Sequence, residues 1–253
     1  MKKVFEDFLM FVENIFFNIF VFLNFFRMKN IYDSLLALSD EEKKIILPRF
    51  FKTGKGQYGE GDKFLGVTVP NIRLIAKKHN NAQPEVIEQL IQSPWHEMRM
   101  CALLILVNNS KKEVTKETFD FYLSHTRFIN NWDLVDLSAP NIIGKYLLDK
   151  NRDVLYKLAE SRLLWDNRIA IVSTLTFIRN NDLEDTYKLA VKMMNHKHDL
   201  MHKAIGCMLR EAGKRDTGRL YNFIINNKAT MPRTMLRYAI EKFDANIRKE
   251  LMS

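Results

Sequence analysis

The sequence predicts an all-α protein, built as a curved α-solenoid of stacked helix pairs. Apolar residues recur at the three- and four-residue spacing of a helix almost everywhere after residue 31, and the alternating pattern of a half-buried strand is scarce. The predicted helices come in pairs, and related second helices recur roughly every 35 residues, a period in the range of helical solenoid repeats.

Each predicted helix is bounded by turn-forming residues that interrupt the apolar pattern. These breaks lie at Ser93-Pro94, Asn108-Asn109-Ser110, Asn180-Asn181-Asp182 and Asn226-Asn227. Pro94 and Pro232 fall near helix starts, where the N–H that proline lacks would have no helical partner. In chain order, the predicted pairs are 82–92 with 95–107, 117–125 with 132–148, 153–160 with 165–179, 184–194 with 200–213, and 218–226 with 232–243.

The second helices of three pairs share a basic residue shortly before a small one. The basic residues are Arg99, Arg168 and Lys203, and each takes the same rotational position in its repeat. Stacked repeats would therefore line one concave face with these cations, and solenoids use such faces to bind partners. The alternative is that the cations pair with neighbouring carboxylates inside the stack. The sequence favours neither interpretation for Arg99 and favours the surface role for Arg168.

Composition indicates a basic protein of reducing compartments. Lys and Arg number 39 against 30 Asp and Glu, which gives a net charge of +9 and a pI of 9.4. Such an excess often marks a phosphate-binding face, although a merely basic soluble protein is equally common. Cys101 and Cys207 lie in helical patterns and indicate no disulfide framework, so we expect a cytoplasmic protein.

The first 27 residues form an apolar extension, and we expect one domain over residues 28–253. The run 15–26 is nearly all aromatic and aliphatic, but Asn18 and Asn24 interrupt it, and it is shorter than the roughly 20 residues of a spanning helix. A start codon assigned upstream of Met28 is the favoured interpretation. An amphipathic packing helix comes second and a membrane anchor third, so we expect no membrane association.

Trp132 and Asp136 stand four residues apart at the start of an apolar helix pattern, and that spacing puts them on one helix face. A large aromatic surface beside a negative charge suits a planar cation, which in a basic chain indicates a nucleobase of DNA. Alternatively, Trp132 packs in the core, and Asp136 is a charge that stabilises the helix dipole. Asp133 is assigned that dipole role.

Five segments, 64–73, 131–136, 165–171, 202–211 and 231–242, follow one another in an order that points to a known family. Through them, the chain from about residue 31 to about residue 243 resembles the AlkD-type DNA alkylation repair glycosylases, a family of HEAT-like helical repeats. The resemblance implies a C-shaped solenoid that cups duplex DNA. It also implies a monofunctional DNA glycosylase, a hydrolase of base excision repair that removes N3- and N7-alkylated purines from double-stranded DNA.

The resemblance also implies roles for individual residues. Trp132 matches the tryptophan that lines the lesion cleft, Asp136 the catalytic carboxylate, and Arg168 an arginine that holds the DNA backbone. Cys207 stands where the family pattern usually has a second cleft tryptophan. Losing that aromatic wall leaves open a second function, a catalytically weak or inactive HEAT-like DNA-binding module. A third class, a protein–protein scaffold, would need a neutral or apolar concave face.

Further candidates for DNA contact lie outside the Trp132–Asp136 helix. They are Tyr58 in the glycine-rich loop 54–61, which lacks the Walker spacing, Arg73 in the first family segment, and Arg233 in a helix that either faces DNA or caps the solenoid. His196, His198 and His202 resemble a metal cluster, but no Cys or carboxylate completes the set, and a solvated helix end is the favoured interpretation. We therefore expect no metal or cofactor, and a monomer associated with the nucleoid when bound to DNA.

Overall fold

A computed structural model describes the backbone of residues 2–253 and the side chains of residues 10–253 apart from positions 13, 16, 17, 20 and 21. Met1, the side chains of residues 2–9 and those at positions 13, 16, 17, 20 and 21 lie outside the described residues, so the predicted extension 1–27 is described only in part. Within the described chain, the structure is helical and has no β-strand, which confirms the all-α class. The chain divides into two compact units, Met1–Asn108 and Asn109–Ser253.

Unit 1 begins with one long helix and continues with short helices joined by an extended loop. The helices are α1 (Lys2–Leu36), α2 (Glu41–Phe50), α3 (Val69–Lys78), α4 (Pro84–Ile91) and α5 (His96–Asn109), the last of which ends one residue beyond the unit. The helix α1 has no break at residue 27. Its C-terminal part buries Ile31 and Leu35 and packs on α3 and α4, whereas Phe22 and Phe26 are exposed.

Among the described residues, no helix has both the length and the apolar character needed to cross a bilayer.

The loop before α3 is held by a buried carboxylate. Glu97 of α5 is 1% exposed and accepts hydrogen bonds from the backbone N–H groups of Leu65, Gly66 and Val67 at 2.9, 2.9 and 3.2 Å. Gly66 has a φ of +82°, and a Cβ there would collide with the Asp40 carbonyl oxygen. The carboxylate thus satisfies three donors that this irregular, buried backbone could not pair with each other.

We expect Glu97→Gln to lower the free energy of unfolding by about 2–4 kcal/mol, since it replaces hydrogen bonds to a charged acceptor and turns an amide N–H toward a backbone N–H. Urea denaturation measures this effect. Glu85→Gln, on the exposed first turn of α4, is the matched control and should leave stability unchanged. Equal stability of the two variants would contradict the role of Glu97.

Unit 2 consists of four consecutive helix pairs followed by one further helix, α14. Its helices are α6 (Lys116–Ser124), α7 (Trp132–Ser138), α8 (Asp153–Ala159), α9 (Leu164–Arg179), α10 (Glu184–Lys192), α11 (Asp199–Gly213), α12 (Thr217–Asn227), α13 (Arg233–Ala239) and α14 (Ala245–Met252). The second helices stack in order, with α11 packed against both α9 and α13. This arrangement follows the predicted pairs and has the solenoid character that the repeat period indicates.

Close contacts between second helices depend on glycine. A Cβ at Gly206 would lie 2.6 Å from both the Met235 carbonyl oxygen and the Tyr238 Cβ. The helix α11 therefore approaches α13 more closely than any larger side chain would allow. In this repeat, the small residue that follows the basic residue Lys203 therefore allows the two helices to pack closely.

The helices predicted at 132–148 and 232–243 are both shorter than the sequence indicates, and the second of them ends at Ala239. The predicted helix 132–148 ends at Ser138, and a wider helical turn, Pro140–Gly144, follows it. Proline has no N–H to donate to the preceding turn, so the regular ladder stops there. The carbonyl of Pro140 instead accepts a hydrogen bond of 2.5 Å from the Thr176 hydroxyl on α9. Apolar residues do recur at helical spacing over residues 132–148, but the regular helix ends at Ser138.

Candidate functional site

The start of α7 is fixed by a buried asparagine. Asn131 is fully buried and extended, and its side-chain oxygen accepts a hydrogen bond of 2.9 Å from the Trp132 N–H. The helix then buries Leu134 and Val135, while Trp132 is half-buried and the Asp136 side chain is 40% exposed. Asn131 was not among the predicted site residues, although an asparagine directly before an apolar helix is a capping signal.

Asp136 forms a bidentate ion pair with Arg168. The Arg168 Nε and Nη2 atoms of α9 each donate to one carboxylate oxygen of Asp136 at 2.8 Å, and Nη1 donates to the Leu200 carbonyl of α11 at 2.9 Å. Arg168 is only 7% exposed. Each carboxylate oxygen has two lone pairs, and Arg168 uses only one on each oxygen. Both oxygens of Asp136 can therefore accept a further hydrogen bond on the exposed side.

This geometry assigns Arg168 to a buried ion pair, the interpretation that the sequence disfavoured. The guanidinium faces a carboxylate on one side and a backbone carbonyl on the other. A side chain buried to this extent cannot grip a phosphate without first leaving Asp136. What Arg168 does in the structure as it stands is hold the carboxylate in one orientation.

Cys207 of α11 lies close to this ion pair. Burial, the largest influence, raises the pKa of its thiol, and the charges of Arg210 and Arg168 oppose that rise. The charge of Asp136 also acts on it. A thiol with a raised pKa stays protonated at neutral pH and is a poor nucleophile. The structure thus brings Asp136 and Arg168 into direct contact and places Cys207 within reach of their charges, with Trp132 one turn before Asp136 on α7.

The three histidines shape the turn that precedes α11. The His196 ring accepts a hydrogen bond of 3.0 Å from the His198 N–H, and the His198 ring accepts one of 3.2 Å from the Leu200 N–H. His202 Nε2 contacts the His196 carbonyl. These rings are half-buried, and the residues between them, Lys197 and Asp199, are exposed. The rings hold the backbone that presents the Leu200 carbonyl to Arg168.

Burial lowers the pKa of His196 and of His198, and in both cases it is the largest influence. The neutral rings that result can accept the backbone hydrogen bonds described above. Among the described residues, no group of three or more His, Cys, Asp or Glu side chains is arranged to hold a metal ion.

Two further candidates of unit 2 lie toward the C-terminus. Lys203 of α11 forms an ion pair of 2.7 Å with Asp199, and the lysine side chain is 40% exposed. Arg233 at the start of α13 is exposed, and its Nη1 donates to the Met252 carbonyl at 2.8 Å. Arg233 therefore ties α14 to α13.

The candidates in unit 1 have different environments. Arg99 is 3% exposed and forms an ion pair with Asp62, while its Nη1 donates to the Ser93 carbonyl at 2.9 Å. Arg99 as a DNA-binding residue is thus corrected, because its guanidinium is buried among its own partners. Tyr58 is half-buried and donates to the Phe50 carbonyl at 3.4 Å, and Arg73 is exposed on α3.

Asp62 also contacts the buried ring of His96, whose Nδ1 lies 3.0 Å from the second carboxylate oxygen. Burial acts to raise the pKa of the Asp62 carboxyl. The His96 hydrogen bond and the charge of Arg99 outweigh that effect, so the pKa is lower than usual. This cluster is charged and enclosed, and the Arg99 Nη1 and Nη2 atoms both have partners within the protein, while the buried Nε has no hydrogen-bond partner among the described residues. Its enclosure suits a structural role.

Comparison with known proteins agrees with the fold. The sequence pattern of the family described as DNA alkylation repair enzyme matches residues 31–243. No curated protein matches the chain. Among solved structures, the chain is similar to one described as a predicted DNA alkylation repair enzyme from Enterococcus faecalis, with a TM-score of 0.65 and 15% identity over 82% of this chain and 97% of that chain. At this identity, the likeness concerns the fold.

The family pattern spans most of the chain and includes the Trp132, Asp136, Arg168 and Cys207 positions. The chain therefore belongs to the DNA alkylation repair enzyme family.

Proposed function

We propose that the protein is a monofunctional DNA glycosylase that hydrolyses the N-glycosidic bond of N3- and N7-alkylated purines in duplex DNA. The observation that carries this proposal is the Asp136 carboxylate, which is held rigidly by a buried arginine and is 40% open to solvent. A carboxylate fixed at an accessible surface, beside an aromatic ring, is suited to a substrate that becomes positively charged during the reaction.

The chemistry requires little from the protein. An N3- or N7-alkylated purine carries a positive charge, so it departs with the electron pair of the glycosidic bond as a neutral base. Positive charge then develops on the deoxyribose, and Asp136 stabilises it electrostatically. Water attacks the sugar carbon and loses a proton to the carboxylate or to solvent, which leaves an abasic site. The Trp132 ring can contact the cationic base or sugar through its face.

In this proposal, Arg168 is a positioning residue. Its two hydrogen bonds fix both carboxylate oxygens, so no rotation of Asp136 has to be overcome when the sugar becomes charged. The Leu200 carbonyl fixes the guanidinium in turn. Contacts to the DNA backbone would come from more exposed residues, Lys203, Tyr58, Arg73 and Arg233, supported by the net charge of +9.

A second function has its own supporting observation. With Cys207 beside the ion pair, the site has one aromatic wall where the family pattern usually has two. A catalytically weak or inactive module that binds DNA without excision is consistent with that. Incubation of the protein with methylated duplex DNA, followed by measurement of free methylated purines, separates the two functions. Release at a rate above that of DNA alone supports the glycosylase, and its absence supports the binding module.

We expect Asp136→Asn to lower the single-turnover excision rate by about 100-fold or more, since it removes the charge that opposes the developing cation. The amide keeps the shape of the side chain but leaves the buried Arg168 without a counter-charge, so thermal melting must accompany the rates. At a temperature where the variant is folded, its affinity for undamaged duplex should stay near that of the wild type. Asp133→Asn, on the same helix, is the control and should excise normally. An Asp136→Asn variant with wild-type excision would rule out the carboxylate role.

Arg168→Ala should slow excision strongly while leaving the affinity for undamaged duplex and its salt dependence unchanged, because the residue acts through Asp136. Arg168→Lys keeps the charge and one donor and should recover part of the rate. Single-turnover kinetics and fluorescence anisotropy at several salt concentrations measure the two effects. Weaker binding with a flatter salt dependence would instead identify a phosphate contact.

We expect Cys207→Trp to raise excision by about tenfold, the equivalent of a cation–π contact of about 1.4 kcal/mol. Cys207→Leu is the control, because it adds bulk without an aromatic face. Thermal melting must accompany the rates, since a larger ring can overpack a half-buried position. A stably folded tryptophan variant with no gain would show that Trp132 and Asp136 suffice.

A further inference from the structure

The helix α1 carries an apolar face that is open to solvent. Five large side chains follow one another along it at intervals of three or four residues, so they share one side of the helix. Each of them is at least 42% exposed. We call this set the α1 stripe, and its members are Phe11, Ile15, Ile19, Phe22 and Phe26.

The opposite side of α1 makes the contacts with the rest of unit 1. Asn24, Ile31 and Leu35 lie on that side, seven and four residues apart, and all three are buried. The helices α3 and α4 pack against α1. Turning α1 about its axis to bury the stripe would therefore expose Ile31 and Leu35, so the stripe stays at the surface of unit 1.

The exposed area of the stripe is that of a protein interface. A phenylalanine has about 200 Å² to bury, so at these exposures the stripe and its flanking residues Leu23 and Phe25 present roughly 800 Å² of apolar surface. The largest apolar patch on a typical monomer covers about 300–600 Å². A stable protein–protein interface takes about 800 Å² from each partner. The stripe is thus larger than a monomer usually leaves open and large enough for a stable dimer.

The charges of α1 disfavour a membrane as the covering surface. Helices that lie on a bilayer are rich in Lys and Arg along their polar side, and anionic lipid headgroups attract those residues. Residues 1–26 have only Lys2 and Lys3, both at the N-terminal end, against Glu6, Asp7 and Glu13. A segment with more negative than positive charge gains nothing from an anionic surface, whereas an uncharged stripe suits an uncharged protein face.

We propose that the α1 stripe binds the α1 stripe of a second copy of this chain, forming a two-fold symmetric dimer in place of the monomer expected from the sequence. A two-fold interface uses one patch twice, so that patch must complement itself. Apolar side chains at three- and four-residue spacing meet this condition, since two such helices pack side by side as in a coiled coil. The dimer concerns α1 alone and is independent of the activity proposed for Asp136.

The test compares the full-length wild type with two double variants that add the same charge. Phe22→Glu with Phe26→Glu alters the stripe, and Ile45→Glu with Leu74→Glu alters exposed apolar residues of α2 and α3. Sedimentation equilibrium over a range of concentrations gives the mass, and thermal melting checks folding. We expect the wild type and the control to have twice the chain mass of 29.9 kDa. The stripe variant should associate about 100-fold more weakly, because each glutamate enters the interface twice and loses its water there.

If the stripe variant melts below the wild type, Ile19→Lys repeats the test with a single change on the same stripe. A wild-type protein with the single-chain mass at all concentrations would overturn the proposal, as would an assembly without a fixed number of copies. Loss of the dimer in the control as well would also overturn it, because added charge alone would then explain the effect. Flotation with phosphatidylcholine and phosphatidylglycerol vesicles tests the membrane alternative. A wild-type monomer that floats with them, beside a stripe variant that does not, would assign the stripe to lipid.

Discussion

The bidentate contact between Asp136 and Arg168 is the interaction on which the rest of the site depends. One buried guanidinium joins α7, α9 and the start of α11, through both oxygens of Asp136 and the Leu200 carbonyl. A buried cation is tolerated only when it is paired, so the position of Asp136 is as much a requirement of folding as of chemistry. The capped turn at Asn131 and the histidine-bonded turn before α11 both serve to bring the partners of Arg168 within 3 Å of it.

The three repeated basic residues have related partners and different exposures. Arg99 pairs with Asp62, Arg168 with Asp136 and Lys203 with Asp199. The side chain of Asp62 is 2% exposed, so the first pair is enclosed, whereas both partners of the third are open to solvent. Of the three pairs, the middle one combines a buried cation with an accessible carboxylate. That combination gives a rigid negative charge at a surface, which neither an enclosed pair nor a mobile, screened pair provides.

The cations of unit 2 also differ in what they leave for a ligand. Where an arginine is buried, as Arg168 is, its charge pairs with a carboxylate of the protein and holds that carboxylate in place. Where arginines are exposed and pair with no described acidic side chain, as is the case for Arg237 and Arg248, their charge is open to solvent. Of the charges that make up the net charge of +9, only those on exposed side chains without acidic partners can attract an anion. Counting basic residues along the sequence cannot distinguish these two kinds of arginine.

The sequence by itself determined the helical class, the paired organisation, and the placement of Trp132 and Asp136 on one helix face, because these follow from residue spacing along the chain. The family followed from the resemblance of five segments. It did not reveal the break at Pro140, since apolar periodicity continues across it, or α14, which is only eight residues long and has one fully buried apolar residue, Leu251. Only the tertiary structure decided which carboxylate each cation meets and how exposed that carboxylate is. Asp136 and Arg168 are 32 residues apart, and the distance between their side chains depends on how closely two helices pack, which no local pattern encodes.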